Sequence, residues 1–330
     1  MHRTRPSPSL GSHLGSLASH FPYERSLPQD PLAMVRPFAA DARSAEIAGI
    51  LASTVAVGNV KAIRRALVIL FDRMGESPRR YIEGFPARRW RIALHPWQHR
   101  WIRADQIGFL CVRLQEIYAR YPGGLEEVVL RGMAEAGELA APEEKCAHGL
   151  HALSEALRWG SVDRAPTVFE PPPGYLRLFP SPLGPGEPAC KREALFLRWM
   201  VRRGFPDLGL WKSVAPSDLQ IPLDTHVYWI AYHLGLTRRR TRNWRTVVEI
   251  TRGLRRFDAQ DPVRFDFVLA HTGISGDCPK RRDPEVCAPC AVRADCDLWR
   301  GRRILFSAPP RCPPANAPAP AVSNRSRVAA

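Results

Sequence analysis

At 330 residues and 45% hydrophobic content, the chain is long enough to bury one large core or two small ones. No apolar run approaches the roughly eighteen residues that a membrane-spanning helix needs. Its 48 basic residues outnumber 32 acidic ones, and the resulting formal charge of +16 favours a polyanionic partner, because neutralised phosphates release their counterions.

Residues 1–30 are rich in Ser, Pro, Arg and His, with no acidic residue before Glu24, and read as a disordered leader. Residues 41–57 give the first helix, which Asp41 or Ser44 can cap, with Ile47, Ile50, Leu51 and Thr54 on one face. Gly58-Asn59 breaks it, and 60–74 forms a second. From 79 to 103 aromatic and basic residues alternate. Arginine on phosphate with tryptophan on a base would suit nucleic acid, but most of these tryptophans read better as core anchors with arginines reaching outward. Helices follow at 105–120, 125–136 and 144–159. Cys111, Cys146 and Cys190 are scattered and behave as small buried apolar groups.

Residues 171–189 hold seven prolines and three glycines, so they cannot be helix interior and read as a connection between two halves of one lobed domain. In 190–203, Leu195, Phe196, Trp199 and Met200 form an apolar stripe that places Lys191 in the first helical turn. Only five lysines exist, and arginine stays protonated, so Lys191 and Lys212 are the amines to consider for nucleophilic chemistry. Asp224 opens the next helix in the position of an N-cap, a role that catalysis does not exclude. A dense basic turn at 237–245, containing Arg238, Arg239, Arg240 and Arg242, precedes a helix at 244–257.

Four of the eight cysteines fall within nineteen residues, Cys278, Cys287, Cys290 and Cys296, spaced C-x8-C-x2-C-x5-C. Four thiolates from one short loop suit a four-iron cluster or, less well, a zinc ion, since only one C-x2-C knuckle is present. Clustered cysteines in a chain without a secretory signal argue against disulfides. Residues 307–330 are Pro/Ala-rich and 301–330 reads as a disordered tail, which leaves Cys312 out of the ligand set.

The last two cysteine spacings resemble the iron–sulfur loop of endonuclease III-like DNA glycosylases, the helix-hairpin-helix/Gly-Pro-Asp superfamily; the first interval is longer by two residues. Lys280, Arg281 and Arg282 fill that larger lobe, where the resemblance implies contact with DNA phosphates. The phrase LDTHV resembles the segment carrying the catalytic carboxylate of those enzymes, which would make Asp224 the group that stabilises a cationic sugar. The superfamily's usual lysine hairpin is absent. The interval from Lys191 to Asp224 resembles the archaeal 8-oxoguanine branch, with Lys212 as the alternative nucleophile. EIAGILASTVAVGN resembles the helix and turn that carry the residue inserted into the duplex, with Val55 at the nearest position and Asn59 just beyond. Residues 41–273 also look like a bacterial family of uncharacterised proteins, to which no activity attaches.

The expected architecture is an all-α, two-lobed glycosylase-like domain over 31–273, a cluster loop over 274–300, and a site between the lobes. The resemblance implies a monomeric DNA N-glycosylase of the cytosol, acting in base excision repair with or without strand cleavage at the abasic site. A non-catalytic iron–sulfur nucleic-acid-binding protein and a zinc-stabilised adaptor are the alternatives.

Overall fold

Asparagine and aspartate side chains fix where several principal helices begin. In the computed structural model, which describes residues 7–164 and 168–301, Asn59 accepts the Lys61 amide at 2.8 Å, Asp224 that of Val227 at 2.7 Å, and Asn243 that of Thr246 at 3.3 Å. Each satisfies an amide that has no partner inside its own helix, a contribution of about 1 kcal/mol.

The described chain is predominantly helical. It runs through α1 (Leu10–His20), α2 (Tyr23–Ser26), α3 (Leu32–Val35), α4 (Ala42–Thr54), α5 (Val60–Met74) and α6 (Pro78–Glu83) to a small antiparallel hairpin, β1 (Gln98–His99) and β2 (Ile102–Arg103). Then follow α7 (Ala104–Arg120), α8 (Gly124–Glu135), α9 (Pro142–Trp159), α10 (Lys191–Val201), α11 (Thr225–His233), α12 (Trp244–Arg255), α13 (Asp266–Ile274) and the short α14 (Pro284–Cys287). Among the described residues, no helix is long and apolar enough to cross a membrane.

Helix α4 is central. Every residue from Ser44 to Thr54 is buried, as expected of a helix walled on all sides, and α3, α6 and α10 pack against it. Helix α5 is amphipathic by contrast, burying Ile63, Ala66, Leu67, Leu70, Phe71 and Met74 at helical spacing. Trp97 closes over this stripe, its Nε1 donating to the Ala66 carbonyl at 2.9 Å, and Trp90 meets Phe109 edge-on at 4.9 Å. Both tryptophans are core anchors, whereas Trp101 at the hairpin turn is 48% exposed. Helices α8 and α9 approach so closely that a β-carbon on Gly132 would lie 2.5 Å from both the His148 carbonyl oxygen and Ala152 Cβ.

One expectation about chain organisation is corrected, and a second stretch is packed more deeply than its composition indicates. The leader expected to be disordered over 1–30 contains α1, whose Leu10, Leu14 and Ala18 are buried. Its polar flank is held as well, with Ser9 Oγ donating to Asp295 Oδ1 at 2.8 Å and His13 Nδ1 bonded to Asp295 Oδ2 at 2.5 Å. The proline-rich segment is more than a surface link. Tyr175, Leu178 and Phe179 within it are buried, Tyr175 stacks edge-on against Phe109 at 4.7 Å, and the Trp244 amide donates to the Glu187 carbonyl at 2.7 Å. The tail beyond 301, with Cys312, lies outside the described residues.

Candidate functional site

The cysteine loop begins where α13 ends. The Cys278 amide donates to the Thr272 carbonyl at 3.0 Å, folding the chain back on the helix, and Asp283 caps α14 by accepting the Val286 amide at 3.3 Å. Successive turns then bond Cys290 N to Cys287 O at 3.2 Å, Arg293 N to Cys290 O at 3.0 Å and Cys296 N to Arg293 O at 3.1 Å. The loop is tied to α11 where the Asp297 amide donates to the His233 carbonyl at 2.8 Å.

All four cysteines of this loop line a single cavity, together with Ile230, Leu234, Val292, Leu298, Trp299 and His233. They are free thiols. Burial pushes the Cys278 thiol up to about 11 and also raises Cys290 and Cys296, and nearby loop thiols add to each rise. A thiol in this state stays protonated until a metal replaces the proton. Among the described residues, no three His, Cys, Asp or Glu side chains converge as ligands of one metal ion.

The second cluster forms where α10 and α11 begin. Lys191 is the first residue of α10, half-buried, and its Nζ donates to the Ala56 carbonyl at 3.1 Å. Arg192 beside it donates to the Thr54 carbonyl at 3.3 Å, so the two cations meet carbonyls at and just beyond the C-terminal end of α4. Asp224, also half-buried, caps α11. Next to it His226 packs on Gly273 so closely that a β-carbon there would meet the His226 Nδ1 at 2.6 Å. Burial lowers the His226 pKa, Asp224 opposes the fall, and Lys280 and Lys191 add to it. Lys191, Asp224 and Lys280, from α10, α11 and the cysteine loop, therefore share one electrostatic neighbourhood. Lys212 lies elsewhere, exposed, with its amide bonded to Glu126 of α8 at 3.0 Å.

The basic residues divide by role. Arg242 is exposed and donates to Thr225 Oγ1 at 2.9 Å, one residue from Asp224. Arg240 is exposed on the same turn, and Arg239 is half-buried with its carbonyl accepting the Tyr228 hydroxyl at 2.9 Å. Arg238 is structural: it donates to the Tyr232 carbonyl at 2.7 Å and pairs with Asp297, which joins α11 to the cysteine loop. Arg281 and Arg282 are exposed, Arg281 facing Asp283 at 3.7 Å and Arg282 lying 5.1 Å over the Trp299 ring. Asn59 is exposed and caps α5, and Val55, the position nearest to the inserting residue of the resemblance, is fully buried.

A family model described as a protein of unknown function (DUF2400) matches residues 30–275, about three quarters of the chain. The chain belongs to the DUF2400 family. No curated protein and no solved structure matches it. Membership in the helix-hairpin-helix/Gly-Pro-Asp glycosylase superfamily is thereby corrected: the matching family is DUF2400, and the short motifs that suggested the glycosylases do not place this DUF2400 protein among them. Sequence reasoning also passed over two histidines of the DUF2400 chain. His226 follows the Asp224 cap by two residues, a spacing that could have marked it. His233 carries no local signal, because the helix alone does not show that its side chain turns toward the cysteines.

Proposed function

We propose that this protein binds DNA across the α10–α11 face, holds a four-iron cluster in the cysteine loop, and cleaves a base–sugar bond at Asp224. The observation that carries the reading is the half-buried Asp224 carboxylate at the start of α11, with Arg242 reaching Thr225 beside it and the charges of Lys191 and Lys280 acting on nearby His226. A carboxylate there would stabilise the positive charge that develops on a sugar as its base departs. Water then adds hydroxide to the anomeric carbon and a proton to the departing base. Cationic side chains around it would hold the phosphates on either side. A neutral Lys191 amine can donate one N–H to Ala56 and still present its lone pair, so its placement is compatible with attack on the anomeric carbon as the base–sugar bond breaks. One amine proton leaves with the base, and a second passes to the ring oxygen as the sugar opens to the Schiff base. Exposed Trp101, with the Arg192 guanidinium 5.9 Å from its ring centre, offers a stacking face near the same end of α10.

The metal reading rests on the donor set. Four thiols around one cavity, rather than gathered at a point, suit a polynuclear iron–sulfur group better than a single zinc ion. When bound, such a group would brace the loop that carries Lys280, Arg281 and Arg282.

One observation favours a second reading, a DNA-binding protein without chemistry: Asp224 and Lys191 both already serve as helix-end partners. A panel of lesion-bearing duplexes separates the two. Asp224→Asn keeps a capping side chain but removes the charge, so base release should fall by about two orders of magnitude while folding and DNA binding persist. Borohydride should trap a protein–DNA adduct that Lys191→Gln abolishes and Lys212→Gln leaves intact. Binding with no base release from any duplex selects the second reading.

A further inference from the structure

His233 is the last residue of α11, and its side chain is 2% exposed. Its backbone is fixed, since its carbonyl accepts the Asp297 amide at 2.8 Å. The ring lies in line with Trp229 one turn earlier, at 5.9 Å and 23°, and meets Tyr232 edge-on at 5.9 Å. Neither ring nitrogen has a hydrogen-bond partner. Buried imidazoles are rarely left in this state, because each unmet polar atom has given up water for nothing. The ring lines the same cavity as Cys278, Cys287, Cys290 and Cys296. Both nitrogens lack a partner, and thiolate or sulfide sulfur in that cavity would be an acceptor for one of them.

We infer that His233 donates an N–H hydrogen bond to a sulfur of the iron–sulfur group held by the four cysteines, and so sets how readily that group takes up an electron. The inference rests on the cluster reading above. An electron added to the cluster increases the negative charge on its sulfurs, so an N–H aimed at one of them favours the reduced form, as outer hydrogen bonds do at metal centres generally. Two features suit His233 to this. Its stack on Trp229 restricts ring rotation, and the Asp297–His233 backbone bond couples α11 to the residue that follows the last ligand.

The test uses the full chain, loaded anaerobically with ferric iron, sulfide and dithiothreitol, and reduced stepwise with dithionite. His233→Leu should retain the iron, the sulfide and the visible absorption of the parent protein while its reduction potential moves to more negative values. His233→Asn, which keeps an N–H, should recover part of that shift and serves as the informative variant if the leucine protein fails to fold. With nitrogen-15 histidine, the reduced parent cluster should show a weak hyperfine coupling that the leucine variant lacks. Identical potentials in parent and leucine proteins would overturn the inference. Loss of iron in both His233 variants, with retention in Cys111→Ala, would also overturn it, by making His233 a ligand. A parent protein that takes up no iron and sulfide would refute the cluster reading, and the role of His233 with it.

Discussion

Nε of Arg198 donates to Oδ1 of Asp207 at 3.1 Å, with the two side chains 2% and 0% exposed. Arg198 pairs on its other side with Asp266, and Arg202 pairs with Asp207 and with Asp261 at 2.8 Å. Arg198 of α10 and Arg202 at its C-terminal cap thus bind the loop that follows the helix and the start of α13, the helix that leads into the cysteine loop.

Replacing Arg198 with Met should destabilise the protein by about 3–5 kcal/mol, because Asp207 and Asp266 would stay buried without that guanidinium. Asp266→Asn should cost less. Burial, opposed by Arg198 and reinforced by the charge of Asp224, already pushes the Asp266 carboxyl up to about 6. Urea unfolding with unchanged slope measures both; equal losses would contradict this account of the network.

Asp30 gives the pH dependence a sign. Burial alone would raise its carboxyl, but the bond from His271 Nε2 at 3.1 Å, the charge of Arg198 and the Leu32 amide outweigh burial and hold it below the ordinary value. The folded state therefore holds this proton less tightly than the unfolded chain does. The stabilisation is fully present above the unfolded value of about 3.9 and is lost as pH falls through the lower folded value. Stability of Asp30→Asn should fall less steeply than that of the parent across this acid range, as followed by thermal unfolding at stepped pH.

Duplex affinity should weaken as salt rises. Removing the exposed pair Arg240 and Arg242 should lower the slope of log affinity against log salt by about 1.8, from two phosphate contacts at roughly 0.9 each. Arg238→Ala should leave that slope unchanged and lower the melting temperature, since its partners are Tyr232 and Asp297. A slope change at Arg238 and none at the exposed pair would reverse the assignment.

Cys290→Ala should abolish iron and sulfide uptake measured after anaerobic reconstitution, and Cys111→Ala should not, because Cys111 lies buried in α7. About four irons per parent chain are expected for this cluster type.

Helix positions were largely legible because their signals are local. Asn59 followed by an apolar period gives a helix over the same 60–74 that the structure shows, and Asp224 caps the helix it was expected to open. The N-terminus was misread for a physical reason. Leu10, Leu14 and Ala18 are spaced at four residues among serines, glycines and histidines, and the Phe257 ring and Asp295 carboxylate against this helix are invisible to composition. Arg238 looked like its neighbours because a charge run is uniform in sequence, while Asp297, the carboxylate it pairs with, lies in the cysteine loop. The meeting of Lys191, Asp224 and Lys280 around His226 depends on long-range packing, which spacing alone does not encode.

The bond between His13 and Asp295 spans 282 positions of sequence, so the first helix waits on nearly the last described residues. Long closure adds little to the equilibrium cost of folding, since loop entropy grows only with the logarithm of length. Its effect falls on the order of events during synthesis. Until residues 257–295 have left the ribosome, α1 lacks the Phe257 ring and the Asp295 carboxylate that lie against it, so the helix carrying Leu10, Leu14 and Ala18 cannot complete its packing. A stop within the cysteine loop ahead of Asp295 would therefore be felt at α1, which would lose the carboxylate that Ser9 and His13 bind while keeping Phe257.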